Sequence, residues 1–175
     1  MNNIVIRKAI KVWNSTYKNI VSQEIIDKIQ VKNKERIELQ KKIIEGAQNV
    51  YVALVNGLIV GYESFGKSYD EKYENSGEIY TAYILDNYQN LGLGRQMAIA
   101  CMKELLNKGY ITLVTKCLEG NPSNEFHKSL GGVLVGQSTF KPMGIYVGKE
   151  NVYYHEDLTK SLEYNIEKLN KKNIK

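Results

Sequence analysis

The chain has 175 residues, with 24 Lys and Arg against 19 Asp and Glu for a net charge of +5, and 43% of its residues are hydrophobic. That balance excludes disorder, collagen or coiled coil as a description of the whole, and the length predicts one domain whose core needs no disulfide or metal staple. No apolar run reaches the ~18 residues of a membrane span, and Met1 to Arg7 has no basic-then-apolar leader, so the expected location is cytoplasmic, with no membrane partner.

Residues 4–7 read as a first strand, and 9–20 and 22–29 as two short helices. Ser22 suits the N-cap of the second, with Glu24 in the first turn and Ile25, Ile26 and Ile29 at helical spacing. Residues 33–45 form a third, charged helix stopped by Gly46. The apolar runs 50–55 and 58–62 flank Asn56-Gly57, a hairpin signal because both turn positions need positive φ. A polar, mobile loop is expected at 67–76, then a strand at 78–85.

Residues 94–108 predict an amphipathic helix with Met97, Ala98, Cys101, Met102, Leu105 and Leu106 on one face. Arg95, Lys103 and Glu104 face water, and Gly109 closes the end. A strand at 110–117, a short helix at 122–130 and strands at 133–139 and 145–154 complete an α/β domain over 1–157. Cys101 and Cys117 have no metal-site spacing and read as buried free thiols, so no metal is expected. Residues 158–175 read as a solvated basic C-terminal tail, since Lys160 to Lys175 carries +3 of the net charge. The remaining body is too weakly basic for a nucleic-acid partner, which would show itself as a steep salt dependence.

Three glycine patterns compete for a phosphate. Gly61 to Ser68 matches the G-x-x-x-x-G-K-[ST] loop, but Glu63 would put a negative charge in the cradle and no apolar helix follows, so it reads as strand end and loop. Gly92 and Gly94 fit two positions of G-x-G-x-x-G, but Met97 holds the third. The third pattern, Gln89-Asn90-Leu91-Gly92-Leu93-Gly94, joins a strand to the amphipathic helix. Its glycines permit a tight turn with inward N–H groups, the helix adds unpaired N–H groups and its dipole, and Arg95 adds a charge. Together they suit a pyrophosphate. The same glycines would also serve helix–sheet packing alone.

With these residues in place, the stretch 77–132 resembles the core of the GNAT superfamily of acyl-CoA-dependent N-acyltransferases. Gln89, Gly92 and Gly94 match its [QR]-x-x-G-x-[GA] signature. Asn121-Pro122 leads into Phe126-His127-Lys128-Ser129-Leu130-Gly131-Gly132, where the family reads F-Y-x-x-L-G-[GF]. Ile6 to Ala9 and Val12 to Tyr17 resemble its first strand and helix. The resemblance implies a GNAT-like mixed β-sheet of about seven strands flanked by helices, splayed between strands 4 and 5 (78–85 and 110–117). It implies that backbone near Ala82, Tyr83 and Ile84 pairs with the pantetheine arm. The amides of Asn90, Leu91, Gly92, Leu93, Gly94 and Arg95, with Gln89, would hold the pyrophosphate. Asn121 would contact the coenzyme, or equally cap the helix starting at Pro122.

Amine attack on a thioester requires removing a proton from an ammonium of pKa near 10.4 and protonating a departing thiolate. Glu78 is the candidate base, acting through water, with strand alternation placing it on one face with Tyr80, Ala82 and Ile84. It would equally serve as a solvent-facing strand-end carboxylate. His127 stands where the family has the Tyr that protonates the thiolate. It would donate, hydrogen-bond the sulfur, or be a neutral replacement. Trp13, Tyr17, Tyr80 and Tyr146 are candidate walls of the acceptor cleft. Cys117 has no neighbouring base and is not read as a nucleophile. The expected function is an N-acetyltransferase moving acetyl from acetyl-CoA, as co-substrate, to a primary amine by direct attack in a ternary complex. The alternative is a non-catalytic CoA-binding module, a sensor or pseudoenzyme. The last hairpin leaves edge pairing open as a route to a homodimer.

Overall fold

The computed structural model describes residues 17, 19–31, 34, 35, 37, 38 and 49–173. The expected strand at 4–7, Trp13, and most of the helices at 9–20 and 33–45 lie outside them; within those helices Tyr17 and residues 34, 35, 37 and 38 are helical. Helix α1 (Gln23–Val31) starts where expected, the Ser22 carbonyl accepting from the N–H groups of Ile25 and Ile26.

Strands β1 (Asn49–Val55) and β2 (Leu58–Lys67) form the hairpin. Asn56 and Gly57 take φ of 49° and 75°, the left-handed pair that a two-residue turn between twisted strands demands. The remaining elements are β3 (Gly77–Ile84), α2 (Leu93–Asn107), β4 (Leu113–Leu118), α3 (Asn124–Ser129), β5 (Val133–Phe140), β6 (Gly148–His155) and α4 (Leu158–Asn173). The six strands lie in the order β1-β2-β3-β4-β6-β5, mixed in direction, so the expected α/β architecture is observed with six strands among the described residues. Helix α2 ends in a Schellman closure, Tyr110 N–H to Leu105 O and Gly109 N–H to Leu106 O, with Gly109 at φ +87°.

Two helical layers cover the sheet. On one face Met102 and Leu105 of α2 pack on Phe65, Ile79 and Leu113, with Leu158 of α4 completing the cluster. On the other, Ile26 and Ile29 of α1 pack with Tyr17 and Leu118, reaching Tyr83 and Phe140.

The fourth and fifth expected strands are β3 and β4, and they part as expected. They pair in parallel only at Gly77–Leu113, Glu78–Val114 and Ile79–Thr115, which leaves Tyr80 to Ile84 without a β4 partner. A bulge sits at the fork. Ser64 faces Thr81 and Phe65 faces Ile79, so Tyr80 is the extra residue of β3. The bulge reverses the expected alternation. Ala82 and Ile84 lie opposite Glu63 and Gly61 on the α2 side. Glu78, Tyr80, Thr81 and Tyr83 share the α1 side, where Thr81 and Ser64 exchange a 2.6 Å hydroxyl hydrogen bond and Tyr83 packs with Tyr62. Glu78 therefore does not share a face with Ala82 and Ile84.

The reading of 158–175 as a solvated tail is corrected. Residues 158–173 form α4, with Leu158 and Asn165 fully buried and Leu162 packed on the α2 cluster. Leu158, Leu162 and Leu169 recur at helical spacing, a stripe that the Lys and Glu between them mask. The loop at 67–76 is tethered as well. It holds a short 3-10 turn, Glu71–Tyr73, and Asp70 pairs with Lys116 of β4 at 3.0 Å.

Gly61 to Lys67 is β2 strand and not a phosphate cradle. Its Glu63 is fully buried, and Cys101 Sγ donates to its Oε2 at 3.1 Å. Burial pushes the Glu63 carboxyl up to about 8, so it is mostly protonated at neutral pH. Between its ordinary value and about 8, the folded chain keeps a proton that the unfolded chain releases. Glu63 therefore stabilises fully in acid, and its contribution is lost as pH rises, by about 1.4 kcal/mol per unit. Glu63→Gln is predicted to remove this slope. Urea unfolding of both proteins from pH 5 to 8 checks it, and a stability difference that stays constant with pH contradicts it.

Candidate active site

The fork between β3 and β4 opens toward the turn that starts α2. A 3-10 turn, Asp86–Tyr88, leads from β3 into Gln89, whose side-chain Nε2 donates to Ile84 O at 3.0 Å and Asp86 Oδ1 at 3.2 Å. Gln89 thereby folds the loop back on the strand end. Asn90 and Gly92 both take positive φ, 61° and 86°, and Gly92 is the N-cap of α2. This left-handed step leads directly into the first turn of α2, whose N–H groups have no intrahelical acceptor. Gly94 has a different task. A Cβ there would lie 3.2 Å from the Phe126 ring and 3.4 Å from Ile84, so glycine lets α2 close against α3 and β3. Leu91 is exposed, and Leu93 packs on the β1–β2 side of the core.

The Arg95 side chain is engaged elsewhere. Its guanidinium is half-buried and donates to Asn165 Oδ1 of α4 and to Ser129 O and Oγ of α3, both at 3.1 Å. Neither free charge nor a solvent-facing position, the two expectations for it, is found. What it presents to the loop is its backbone N–H.

Glu78 lies at the middle pair of the fork's closed end, 7% exposed. Ser68 Oγ donates to its Oε2 at 2.7 Å and Tyr69 N–H at 3.2 Å, so the loop after β2 fixes the carboxylate. It is therefore not the solvent-facing strand-end carboxylate of the alternative reading. Beside it Lys116 reaches Asp70. Burial works against the Lys116 charge, but the Asp70 hydrogen bond and the carboxylates of Glu78, Asp70 and Glu150 outweigh it and hold the ammonium above its ordinary range. Burial raises Glu150, whose Oε1 accepts from Ser138 Oγ at 2.8 Å. Three carboxylates around one ammonium leave this wall of the fork net acidic. Ser68, Asp70, Lys116 and Glu150 were missed in the sequence. Lys116, alone in an apolar strand reading Leu-Val-Thr-Lys-Cys-Leu, was the available signal.

The tyrosines divide. Tyr80 at the bulge donates to Lys67 O and packs, rings tilted by 30°, against Tyr69 at 4.8 Å, beside Glu78. Tyr17 is buried against Phe140 in the α1 layer, and Tyr146 is exposed before β6. Trp13 lies outside the described residues.

His127 sits on α3 between ring neighbours, stacked on Tyr153 at 5.5 Å and edge-on to Phe126 at 5.8 Å. Burial, with the nearby His155, pulls it down to about 4. That favours the neutral ring over the imidazolium at pH 7. Asn121 Oδ1 accepts from Ser123 N–H at 2.8 Å, an Asx turn that leads into α3, whose N-cap is Ser123. Asn124, unremarked in the sequence, is the buried hub of α3. It donates to Leu118 O and Asn121 O and accepts from Asn151 and Tyr153. Cys101 and Cys117 are buried free thiols, and burial raises Cys117 to about 12, which leaves it inert as a nucleophile. Among the described residues no group of His, Cys, Asp and Glu could hold a metal, and no helix is long and apolar enough to cross a membrane.

Residues 13–132 match the model of the acetyltransferase (GNAT) family. The uncharacterized N-acetyltransferase YuaI of Bacillus subtilis (strain 168) is 27% identical over 134 residues, 76% of this chain and 75% of that protein. The PaiA N-acetyltransferase of Thermoplasma acidophilum, crystallised with coenzyme A, superposes with a TM-score of 0.64 at 16% identity over 87% of this chain and 91% of that one. The yncA protein of Salmonella typhimurium, with its cofactor acetyl-CoA, gives 0.63 at 19% identity over 89% of each chain.

Proposed function

The chain belongs to the acetyltransferase (GNAT) family, and from that premise we propose that it transfers the acetyl group of acetyl-CoA to a primary amine by direct attack in a ternary complex. The observation that carries this reading is the fork: a strand edge left open beyond Ile79 that leads to the left-handed turn at Gly92. The fit to the coenzyme is of two kinds. An open strand edge offers backbone groups to an amide-bearing arm, and convergent amides at a helix N-terminus suit a diphosphate. Ala82, Tyr83 and Ile84 would hold the arm, and the amides of Asn90 to Arg95 the diphosphate. Gln89 shapes the turn, and Asn121 makes the Asx turn that leads from β4 into α3. At ~3.3 Å per residue, β3 from Ile84 back to Glu78 spans about 20 Å, which brings Glu78 beside the thioester end. The bound coenzyme supplies an activated acetyl thioester.

Glu78 takes a proton from the incoming ammonium, directly or through water, held in place by Ser68 and Tyr69. The acidic wall of Asp70, Glu78 and Glu150 favours a cationic amine, and Tyr80 and Tyr69 give it an aromatic side. No side chain acts as a covalent nucleophile. Neutral His127 acts in packing. After attack the second proton on the amine nitrogen passes through water to the departing thiolate, so coenzyme A leaves as the free thiol and Glu78 returns its own proton to solvent.

His127→Phe is therefore predicted to keep kcat within about threefold, where loss of a general acid costs at least ~100-fold. Steady-state turnover measures it, and a loss of tenfold or more would return the imidazole to the machinery. The reading as a whole is tested by incubation with acetyl-CoA and a panel of primary amines. Mass spectrometry should find an amine heavier by one acetyl group, with matching thiol release. Coenzyme binding without turnover on any amine would favour the non-catalytic module.

A further inference from the structure

Helix α4 buries a stripe of Leu158, Leu162 and Leu169, and Asn165 breaks it. Asn165 is fully buried, and a buried amide is costly unless every donor and acceptor is met. Here they are met. Nδ2 donates to Leu130 O and Ser161 O, both at 2.7 Å, with Met102 Sδ at 4.0 Å. Oδ1 accepts from Arg95 Nη1.

The other arm of Arg95 holds Ser129 O and Oγ. Ser129 and Leu130 carry carbonyls at the end of α3 that the helix itself cannot satisfy. One amide and one guanidinium thus tie the end of α3 and the middle of α4 to Arg95, in the first turn of α2. A turn further along α4, Leu169 lies 3.8 Å from where a Cβ on Gly92 would stand. From α3, Phe126 closes on Gly94. The glycine turn is gripped from behind by two helices that meet at Asn165.

A leucine at 165 would continue the stripe. The amide adds one thing a leucine cannot: it fixes a guanidinium directly behind the amides of the turn. We propose that Asn165 is a positioning residue for the coenzyme site, acting through Arg95 to hold the first turn of α2 in its binding geometry. This rests on the coenzyme reading of the turn.

Asn165→Leu keeps the volume and removes the tie. Calorimetry with coenzyme A should show Kd raised about tenfold, with kcat at saturating acetyl-CoA and the KM of the amine each within about twofold. Arg95→Leu should weaken coenzyme binding similarly, and the double variant should be no weaker than either single one. Ser129→Ala removes one hydroxyl from the same tie at a half-buried position, and should raise Kd about threefold even where Asn165→Leu fails to fold. A Tm that falls while Kd for coenzyme A stays at the wild-type value in these variants makes the tie structural only and overturns the proposal. Additive losses in the double variant overturn the route through Arg95. If the unaltered protein binds no coenzyme A, the coenzyme reading itself falls, and this inference with it.

Discussion

Replacing Glu78 by Gln is expected to lower kcat/KM for the amine about 100-fold or more at pH 7, with the KM for acetyl-CoA unchanged. An alkyl ammonium with pKa near 10.4 is overwhelmingly protonated at neutral pH, so a positioned base contributes ~10² to 10⁴. In the proposed mechanism that base is Glu78, which is buried at the fork and held by Ser68 Oγ and Tyr69 N–H. Gln keeps the shape, and its carbonyl oxygen still accepts both hydrogen bonds, so the fold and coenzyme site are preserved. It cannot take a proton. The variant then depends on amine already neutral in solution, and its rate should rise about tenfold per pH unit toward pH 9 while the wild-type rate levels off earlier. Equal kcat/KM in the two proteins from pH 6 to 9 would remove Glu78 from the mechanism.

Gly92→Val is expected to weaken coenzyme A binding about 100-fold. The obstacle is the backbone and not space, since the nearest atoms to a Cβ there are 3.8 and 3.9 Å away. At φ +86° a β-branched residue is strained by about 1–2 kcal/mol, and the turn relaxes away from its left-handed step. Loss of two amide–phosphate hydrogen bonds, at about 1.5 kcal/mol each, gives about 3 kcal/mol, or a factor of about 100. Binding by Gly92→Val within threefold of wild type, measured by calorimetry, contradicts the assignment of the turn.

What the sequence made legible is local chemistry. Asn56-Gly57 dictates its turn because few other residues tolerate two positive φ values, and Gly92 announces the left-handed step for the same reason. The apolar face of α2 and its Gly109 closure follow from spacing alone. The fork followed from family resemblance, and the bulge at Tyr80 was not placed because a bulge belongs to the pairing of two strands and leaves no mark in one. Without it, Ala82 and Ile84 fall on the wrong face. Helix α4 was hidden by charge, since a run of Lys and Glu reads as a solvated tail until the leucines are counted by turn. The identity of His127 was plain, but its protonation depends on Tyr153, Phe126 and His155 packed around it, which only the fold assembles. Arg95 was recognised as a charge beside the turn, while the partner that claims it is 70 residues away.

The proposed function requires that the amides opening α2 hold a diphosphate while its arm lies along the open edge of β3. Backbone amide NMR of labelled protein titrated with coenzyme A reads both contacts at once. The amides of Asn90 to Arg95 and of Ala82 to Ile84 should shift together along one saturating curve. Saturable binding that leaves both groups of amides in place would contradict it.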